Sequence, residues 1–414
     1  MDEAIIQGRY ASQAFTEMSD CMSYSNAPWP VYQEDEIAAV EAVLRSGKVN
    51  YWTGSVSREF ERDYAAYVGV PYAIAVANGT LALDLAWIAL GIGKGDEVIV
   101  TSRTFLASVS SIVLAGATPV FADIDPDSQN ITAETVRAVL SPRTKAILCV
   151  HLAGWPCDMD GILALAHEYG LKVVEDCAQA HGARYKDRPV GSFGDIAAFS
   201  FCQDKIMSMG GEGGLVTCRD EALWSRMWSF KDHGKSYDAV YYRQHPPGFR
   251  WLHESFGTNW RITEMQAAIG RCQLAKLDDW VTRRRANMAA LFAGLKGLAA
   301  LRIPQAPADV YHAAYRAYVF VRPEALKAGW SRDRIMQEVA ARGVPCMSGS
   351  CSEVYRERAF DGTGLRPTTP LPVAHELGET SLAFLVPPTL SPADLREVAR
   401  VVREVIEGAS DWRS

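Results

Sequence analysis

The feature that most constrains this chain is an alternation. Short apolar runs recur between residues 72 and 201, and helical patterns separate several of them. The runs are YAIAVA (72–77), EVIVTS (97–102), TPVFADID (118–125), KAILCVHLAG (145–154), LKVVEDCA (171–178) and DIAAFSF (195–201). The helical stretches include TLALDLAWIAL (80–90, closed by Gly91), ASVSSIVLAG (107–116) and MDGILALAHEYG (159–170). Strands buried on both faces read as continuous apolar runs, and their alternation with helices makes parallel sheet. The pattern predicts an α/β fold: a large domain whose mostly parallel sheet is covered by helices. Ligands of such sheets sit outside the carboxyl ends of the strands. The residues just after each run therefore carry the functional question.

The flanks read differently. Residues 1–34 show weak periodicity and read as an N-terminal arm. From Glu34 a helix is predicted, with Ile37, Val40, Val43 and Leu44 at helical spacing and a stop near Ser46-Gly47. A long helical segment spans about 262–295. AYRAYVFVRP then reads as a strand, and LSPADLREVARVVREVI as a closing helix. In that helix Ser391 is the cap, Pro392 suits the first turn and Asp394 completes a capping box. The predicted domains are 35–285, large, and 286–414, a smaller α+β unit.

Composition closes off other classes. Hydrophobic residues make up 48% and charged residues 22% of 414, so disordered and fibrous architectures do not fit. A net charge of −7 argues against a nucleic-acid partner. The local run Arg283-Arg284-Arg285 lies in a helical pattern and reads as a solvated face. The N-terminus carries early acids without a signal-like apolar core, and no run reaches membrane-spanning length. These features predict a soluble, cytoplasmic protein with no membrane partner. The nine cysteines are odd in number, form no CxxC pair and lie partly inside apolar runs. They read as reduced thiols rather than disulfides or a metal site.

Four strand ends hold chemistry-bearing residues. Asn78-Gly79-Thr80 opens a helix, which is a plain cap or an anion site. Arg103-Thr104-Phe105 follows the second run, and Phe105 is a core residue or one wall of a slot for a flat ring. Asp176, followed by Gln179 and His181, ends an apolar strand; it is a helix cap or the partner of a protonated ring nitrogen. Ser200 ends the last run, and Lys205 stands just before the glycines of GGEGG. Lys205 is a loop lysine or an amine that bonds to an aldehyde. No glycine stretch matches a dinucleotide or Walker loop. Together these residues offer an anion site, a stacking aromatic, a carboxylate for a ring nitrogen and an amine. Those are the needs of pyridoxal 5′-phosphate (PLP).

Several ordered motifs then resemble one family. They include SGKVNYWTG (46–54), ANGTLAL (77–83), GDEVIVTSRTF (95–105), GATPVFADID (116–125), VEDCAQAHGARY (174–185), GSFGDIAAFSF (191–201), the GEGG after Lys205, and NWRITEMQAAIGRCQL (259–274). From about Trp29 to the last helix the chain resembles the DegT/StrS sugar aminotransferases, which are fold-type I PLP enzymes. The resemblance implies that Lys205 bonds to the cofactor and shuttles protons, and that Asp176 partners the pyridine nitrogen. It also implies that Phe105 stacks on the ring with Gln179 near its other side, and that Gly79, Thr80 and Ser200 hold the phosphate. Asn259 would reach the phosphate of a neighbouring subunit's cofactor, which implies a homodimer with shared sites. A sugar-dehydratase branch carries histidine in place of the lysine, so Lys205 favours amino transfer. The motif SGKVNYWTG and the segment VPCMSGSCSEVYRE look like the surface-polysaccharide subgroup, although many members carry a histidine where this chain has Ser350-Cys351-Ser352.

The implied reaction moves the amino group of L-glutamate to C4 of a UDP-linked 2-acetamido-2,6-dideoxy-4-keto hexose, for O-antigen or capsule synthesis. Amination of a free cyclic ketone, an inosose or deoxy-inosose, is the alternative. A non-enzymatic regulator is disfavoured, because no basic DNA-reading segment is visible.

Overall fold

The computed structural model describes Tyr24, residues 27–245, Gly248 and residues 250–411. Most of the predicted arm at 1–34 lies outside the described residues.

The predicted runs form one sheet. Its strands are β1 (Tyr72–Val76), β2 (Glu97–Thr101), β3 (Thr118–Ala122), β4 (Thr144–Val150), β5 (Lys172–Asp176), β6 (Ile196–Ser200) and β7 (Gly214–Cys218). The seven are ordered β1-β7-β6-β5-β4-β2-β3. Pairing is parallel from β3 through β6, and only β7 runs antiparallel to both of its neighbours. The central strands are buried along almost their whole length, as a sheet covered on both faces requires.

The antiparallel β7 has a positional effect. Its first residue, Gly214, pairs with Val76 on one side and Ser200 on the other. The ends of β1 and β6 are thereby drawn together around Gly214.

A second, antiparallel sheet contains Leu301–Arg302, Arg316–Val321, Ser381–Leu385 and Cys346–Met347, in that order. The helices Leu277–Leu295 and Pro392–Ala409 pack on it, and Tyr24 and Ala27 join the same core. The closing helix begins with the predicted capping box between Ser391 and Asp394.

Three expectations need correction. The segment predicted as one helix over 262–295 is two, Glu264–Leu274 and Leu277–Leu295, with a break at Ala275-Lys276. Both halves share helical periodicity, and no glycine or proline marks the junction. The helix Glu34–Ser46 forms as predicted, yet Ile37 and Leu44 of its apolar stripe are 51% and 55% exposed. The Arg283–Arg285 run is not one solvated face, because successive residues on a helix point about 100° apart. Arg283 is exposed, whereas Arg284 is 2% exposed and buried.

Candidate active site

The end of β1 builds the first element of the site. Asn78 caps the helix Gly79–Leu90 by accepting the Leu81 N–H at 3.0 Å. The N–H groups of Gly79 and Thr80 stand in the first turn, where no intrahelical acceptor exists. A Cβ on Gly79 would lie 2.5 Å from the Ser200 Cβ, and one on Gly214 would lie 2.1 Å from the Asn78 carbonyl oxygen. Glycine at both positions is what lets the three strand ends close. The positive end of a helix and the Ser200 hydroxyl thus meet at one place, an arrangement suited to an anion.

Asp176 ends β5. Its Oδ2 accepts the Ser108 hydroxyl at 2.8 Å, and its Oδ1 accepts the Ala178 N–H at 3.1 Å. Thr104 shares its hydroxyl hydrogen bond with Ser108, also at 2.8 Å. Burial pushes the Asp176 carboxyl up, while the Ala178 and Ser108 donors and the charges of His151 and Lys205 pull it back. A carboxylate with two donors still has lone-pair capacity for a third. The preceding Glu175 points to the other face. It accepts N–H groups from Gly191, Phe193 and Gly194, each at 2.8 Å, and pairs with His151 Nε2 at 3.0 Å. Glu175 is thereby spent on structure.

Lys205 lies in the turn after β6, with its side chain 16% exposed. Its carbonyl accepts the Trp29 indole N–H at 2.8 Å, and its amide donates to the Cys202 carbonyl at 3.1 Å. The ammonium donates to Asp204 Oδ1 at 2.9 Å. The other Asp204 oxygen accepts the Tyr315 hydroxyl. Burial works against the ammonium, but the facing Tyr315 and Asp204 oxygens outweigh it and hold the Lys205 pKa above the ordinary lysine value.

His181 is buried behind Ser200. Its Nε2 lies 2.7 Å from the Ser200 carbonyl and its Nδ1 2.8 Å from the Tyr64 hydroxyl. Burial pushes the imidazole down to about 4, so it is neutral near pH 7. The carbonyl only accepts, so Nε2 carries the proton and Nδ1 accepts from Tyr64.

The remaining predicted residues are less tightly bound. Phe105 is 71% exposed at the start of the helix Leu106–Leu114, one turn before Ser108. The neighbouring Thr104 amide donates to the Cys351 carbonyl at 3.1 Å, which brings the Ser350–Ser352 segment to the same rim. Gln179 is half-buried, and its Oε1 accepts the Ala153 N–H at 2.8 Å. Asn259 is exposed. It pairs with Asp232, and the next residue, Trp260, accepts the Ala77 N–H at 2.9 Å beside the β1 end.

The structure thus gathers Gly79, Thr80 and Ser200 at one end and Asp176 within electrostatic reach of Lys205. Sequence reasoning missed Ser108, Asp204 and Tyr315. Asp204 adjoins Lys205, which was a usable signal. Tyr315 is 111 residues from Asp204, and no local pattern announces that contact.

Comparison with known proteins places this geometry in context. The profile of the DegT/DnrJ/EryC1/StrS aminotransferase family matches residues 30–403. A solved aminotransferase from Psychrobacter cryohalolentis is 56% identical with a TM-score of 0.91, over 94% of this chain and 100% of that one. The dTDP-3-amino-3,4,6-trideoxy-alpha-D-glucose transaminase of Streptomyces venezuelae is 37% identical over 373 residues, 89% of this chain and 92% of its own. The UDP-N-acetyl-3-dehydro-alpha-D-glucosamine 3-aminotransferase of Acidithiobacillus ferrooxidans is 35% identical over 355 residues, 86% of this chain and 90% of its own.

Proposed function

We infer the reaction from one premise: this chain belongs to the DegT/DnrJ/EryC1/StrS aminotransferase family and is a PLP-dependent nucleotide-sugar aminotransferase. The reaction we propose takes the amino group of L-glutamate to C4 of a UDP-linked 2-acetamido-2,6-dideoxy-4-keto hexose. The product is an amino sugar for O-antigen or capsule synthesis. The two relatives carry dTDP and UDP in their names. The choice of UDP rests on the resemblance of residues 46–54 and 344–357 to the surface-polysaccharide subgroup.

The observation that carries the reading is the buried Asp176 carboxylate, held by Ser108 and Ala178 at the end of β5, beside the β6 strand that leads to Lys205. The residues fit the cofactor. The cradle of Gly79, Thr80 and Ser200 suits a phosphate. Asp176 retains an acceptor site for a ring N–H. Lys205 offers an amine, and the exposed Phe105 ring offers a face for a flat heterocycle, with Gln179 assigned to the opposite side. Asn259 is assigned to the phosphate of the cofactor in the neighbouring subunit of a homodimer. The exposed apolar side chains of Ile37 and Leu44 agree with a partner surface.

When bound, the cofactor supplies an aldehyde that carries the amino group and a ring that acts as an electron sink. The protein does the rest. The Ser108 and Ala178 donors pull the Asp176 carboxyl down against the burial that raises it, and in its anionic form Asp176 would favour a protonated ring nitrogen facing it. Lys205 takes the proton from the α-carbon of the amino donor and returns one to the reacting carbon. Asp204 and Tyr315 steer its amine between strokes. His181 fixes the Ser200 carbonyl and so keeps the Ser200 hydroxyl at the cradle. With the keto sugar the same groups work in the opposite order.

The test is a visible spectrum of the PLP-loaded protein before and after L-glutamate, followed by mass analysis with UDP-, dTDP- and GDP-linked 4-keto sugars. Bleaching of the yellow band, release of 2-oxoglutarate and amination of the UDP sugar are expected. An unchanged band would overturn glutamate as donor. Amination of only a dTDP or GDP sugar, or preference for a free cyclic ketone, would overturn the substrate.

A further inference from the structure

A row of buried hydroxyls runs into Asp176. Ser108 stands in the first turn of the helix Leu106–Leu114, and its hydroxyl reaches Asp176 Oδ2 at 2.8 Å. Thr104, in the loop after β2, lies 2.8 Å from the same Ser108 oxygen. In the sheet β2 and β5 are separated by β4. The three side chains therefore link the ends of two strands that do not pair with each other.

The direction of the row follows from chemistry. An ionised carboxylate only accepts, so Ser108 commits its one hydroxyl hydrogen to Asp176. The Ser108 oxygen is left to accept, which makes Thr104 the donor of the second bond. Each bond polarises the next, so Ser108 donates more strongly than a lone hydroxyl would. Thr104 is in turn fixed at its backbone, where its N–H donates to the Cys351 carbonyl at 3.1 Å. The preceding Arg103 is buried, and its Nε and Nη2 donate to Gln129 Oε1 at 2.8 Å and to Ser381 Oγ at 2.9 Å. Ser381 opens a strand of the second sheet. The row thus starts from a point locked between the two sheets and ends on the carboxylate. There the Ala178 N–H holds the other oxygen at 3.1 Å, and two donors from two different elements define the plane of the carboxylate.

Resting on the aminotransferase reading, we propose that Ser108, aimed by Thr104, is a positioning residue of the reaction. It acts through Asp176: it fixes one carboxylate oxygen and favours the ionised form that a ring N–H needs. Burial raises the Asp176 carboxyl, whereas the Ala178 and Ser108 donors lower it. The charged groups that face it, His151 just after β4 and Lys205 after β6, lower it too, and the adjoining Cys177 thiol is buried. Without the Ser108 donor the carboxyl takes up its proton at a higher pH, and the ionised form is lost there.

The experiment compares wild type, Ser108→Ala, Asp176→Asn, the double variant and the control Ser110→Ala, which lies on the same helix. In the PLP-loaded proteins Ser108→Ala is expected to lower kcat about 10-fold, the scale of one hydrogen bond to a charged group. The acid limb of its pH profile should move up by about one pH unit. Once Asp176→Asn is present, adding Ser108→Ala should cost less than about 3-fold, because the charge it serves has gone. Ser110→Ala should match wild type. The second readout needs no turnover. Cofactor-free wild type should bind PLP more tightly than 1-deaza-PLP, which lacks the ring nitrogen. In Ser108→Ala that preference should shrink about 10-fold. A Ser108 that served only packing would weaken both ligands alike and leave the preference unchanged. If Ser108→Ala does not fold, Thr104→Val carries the same readouts in the same direction, and Thr104→Ser, which keeps the hydroxyl, restores them. An unmoved acid limb, additive losses in the double variant or an unchanged ligand preference each overturns the proposal. So does a wild type that binds PLP and 1-deaza-PLP alike. A wild type that no amino donor bleaches would sink the aminotransferase reading instead. A reduced PLP preference in Ser108→Ala would then still support the action of Ser108 on Asp176.

Discussion

Two lysines near the rim of the same sheet make an instructive pair. Lys205 is 16% exposed and bonded to Asp204, and its pKa is held up by facing oxygens that outweigh burial. Lys231 ends the helix Glu221–Lys231 and connects to the β1 end through Trp260, whose amide donates to its carbonyl at 3.0 Å. The Lys231 side chain is 0% exposed, 3.5 Å from the Tyr51 ring centre and 4.0 Å from Glu61, and its ammonium has no hydrogen-bond partner. Burial pulls its pKa down to about 8 against the attraction of Glu61 and Asp232. By basicity alone Lys231 is the better nucleophile near neutral pH. By access it is useless, because tyrosine and tryptophan rings enclose it. A lowered pKa marks a lysine as desolvated, whereas function also needs an approach path and a partner for the incoming group.

The largest effect tests that distinction directly. Lys205→Ala is expected to abolish turnover, because Lys205 is the amine assigned to the cofactor, whereas Lys231→Met keeps cofactor and most activity. Borohydride reduction of the PLP-loaded protein followed by peptide mapping should mark Lys205 and leave Lys231 unmodified. Appreciable turnover by PLP-loaded Lys205→Ala, or label on Lys231, would reverse the assignment.

The next effect falls on the carboxylate that separates the two lysine environments. Asp176→Asn keeps the shape but removes the charge, and because its amide nitrogen cannot accept, it keeps only one of the two donated hydrogen bonds. Its kcat is expected to fall about 100-fold or more, the scale of losing one preorganised electrostatic contact in a buried site. Cofactor remains bound, as its absorption band would report. An unchanged kcat would mean that Asp176 does not face the ring nitrogen.

How much of this was legible in the sequence follows from range. The strands were legible because residues buried on both faces form unbroken apolar runs, as Val98–Val100 and Ile147–Val150 do. Asp176, Ser200 and Lys205 were legible because they follow such runs in a fold whose sites lie at strand ends. Arg284 was not, since a charge run says nothing about which member turns inward. Ile37 and Leu44 read as core and lie exposed, because the helical period reveals a stripe but not what covers it. The contacts of Asp204 with Tyr315 and of Asp176 with Ser108 span 111 and 68 residues. Such contacts depend on sheet order, which the antiparallel β7 and the crossover strands set only in three dimensions.

The smallest effect is thermodynamic and sharpens the contrast between the two lysines. An unfolded lysine titrates near 10.5 and Lys231 in the folded protein near 8. Between those values the unfolded chain binds a proton that the native chain does not, so stability rises with pH. Below pH 8 both states are protonated and the penalty for the buried charge is fully present. It is relieved as pH climbs toward 10.5. Wild type should therefore gain about 2 kcal/mol relative to Lys231→Met between pH 7.5 and 9.5. Denaturant unfolding of the two proteins at matched pH measures this. The comparison cancels other alkaline titrations, such as those of the buried Tyr51 and Tyr64, whose pKa values burial raises. Parallel stability curves would mean that Glu61 compensates the Lys231 charge in full. The two lysines would then differ in access alone, and desolvation would have no part in telling them apart.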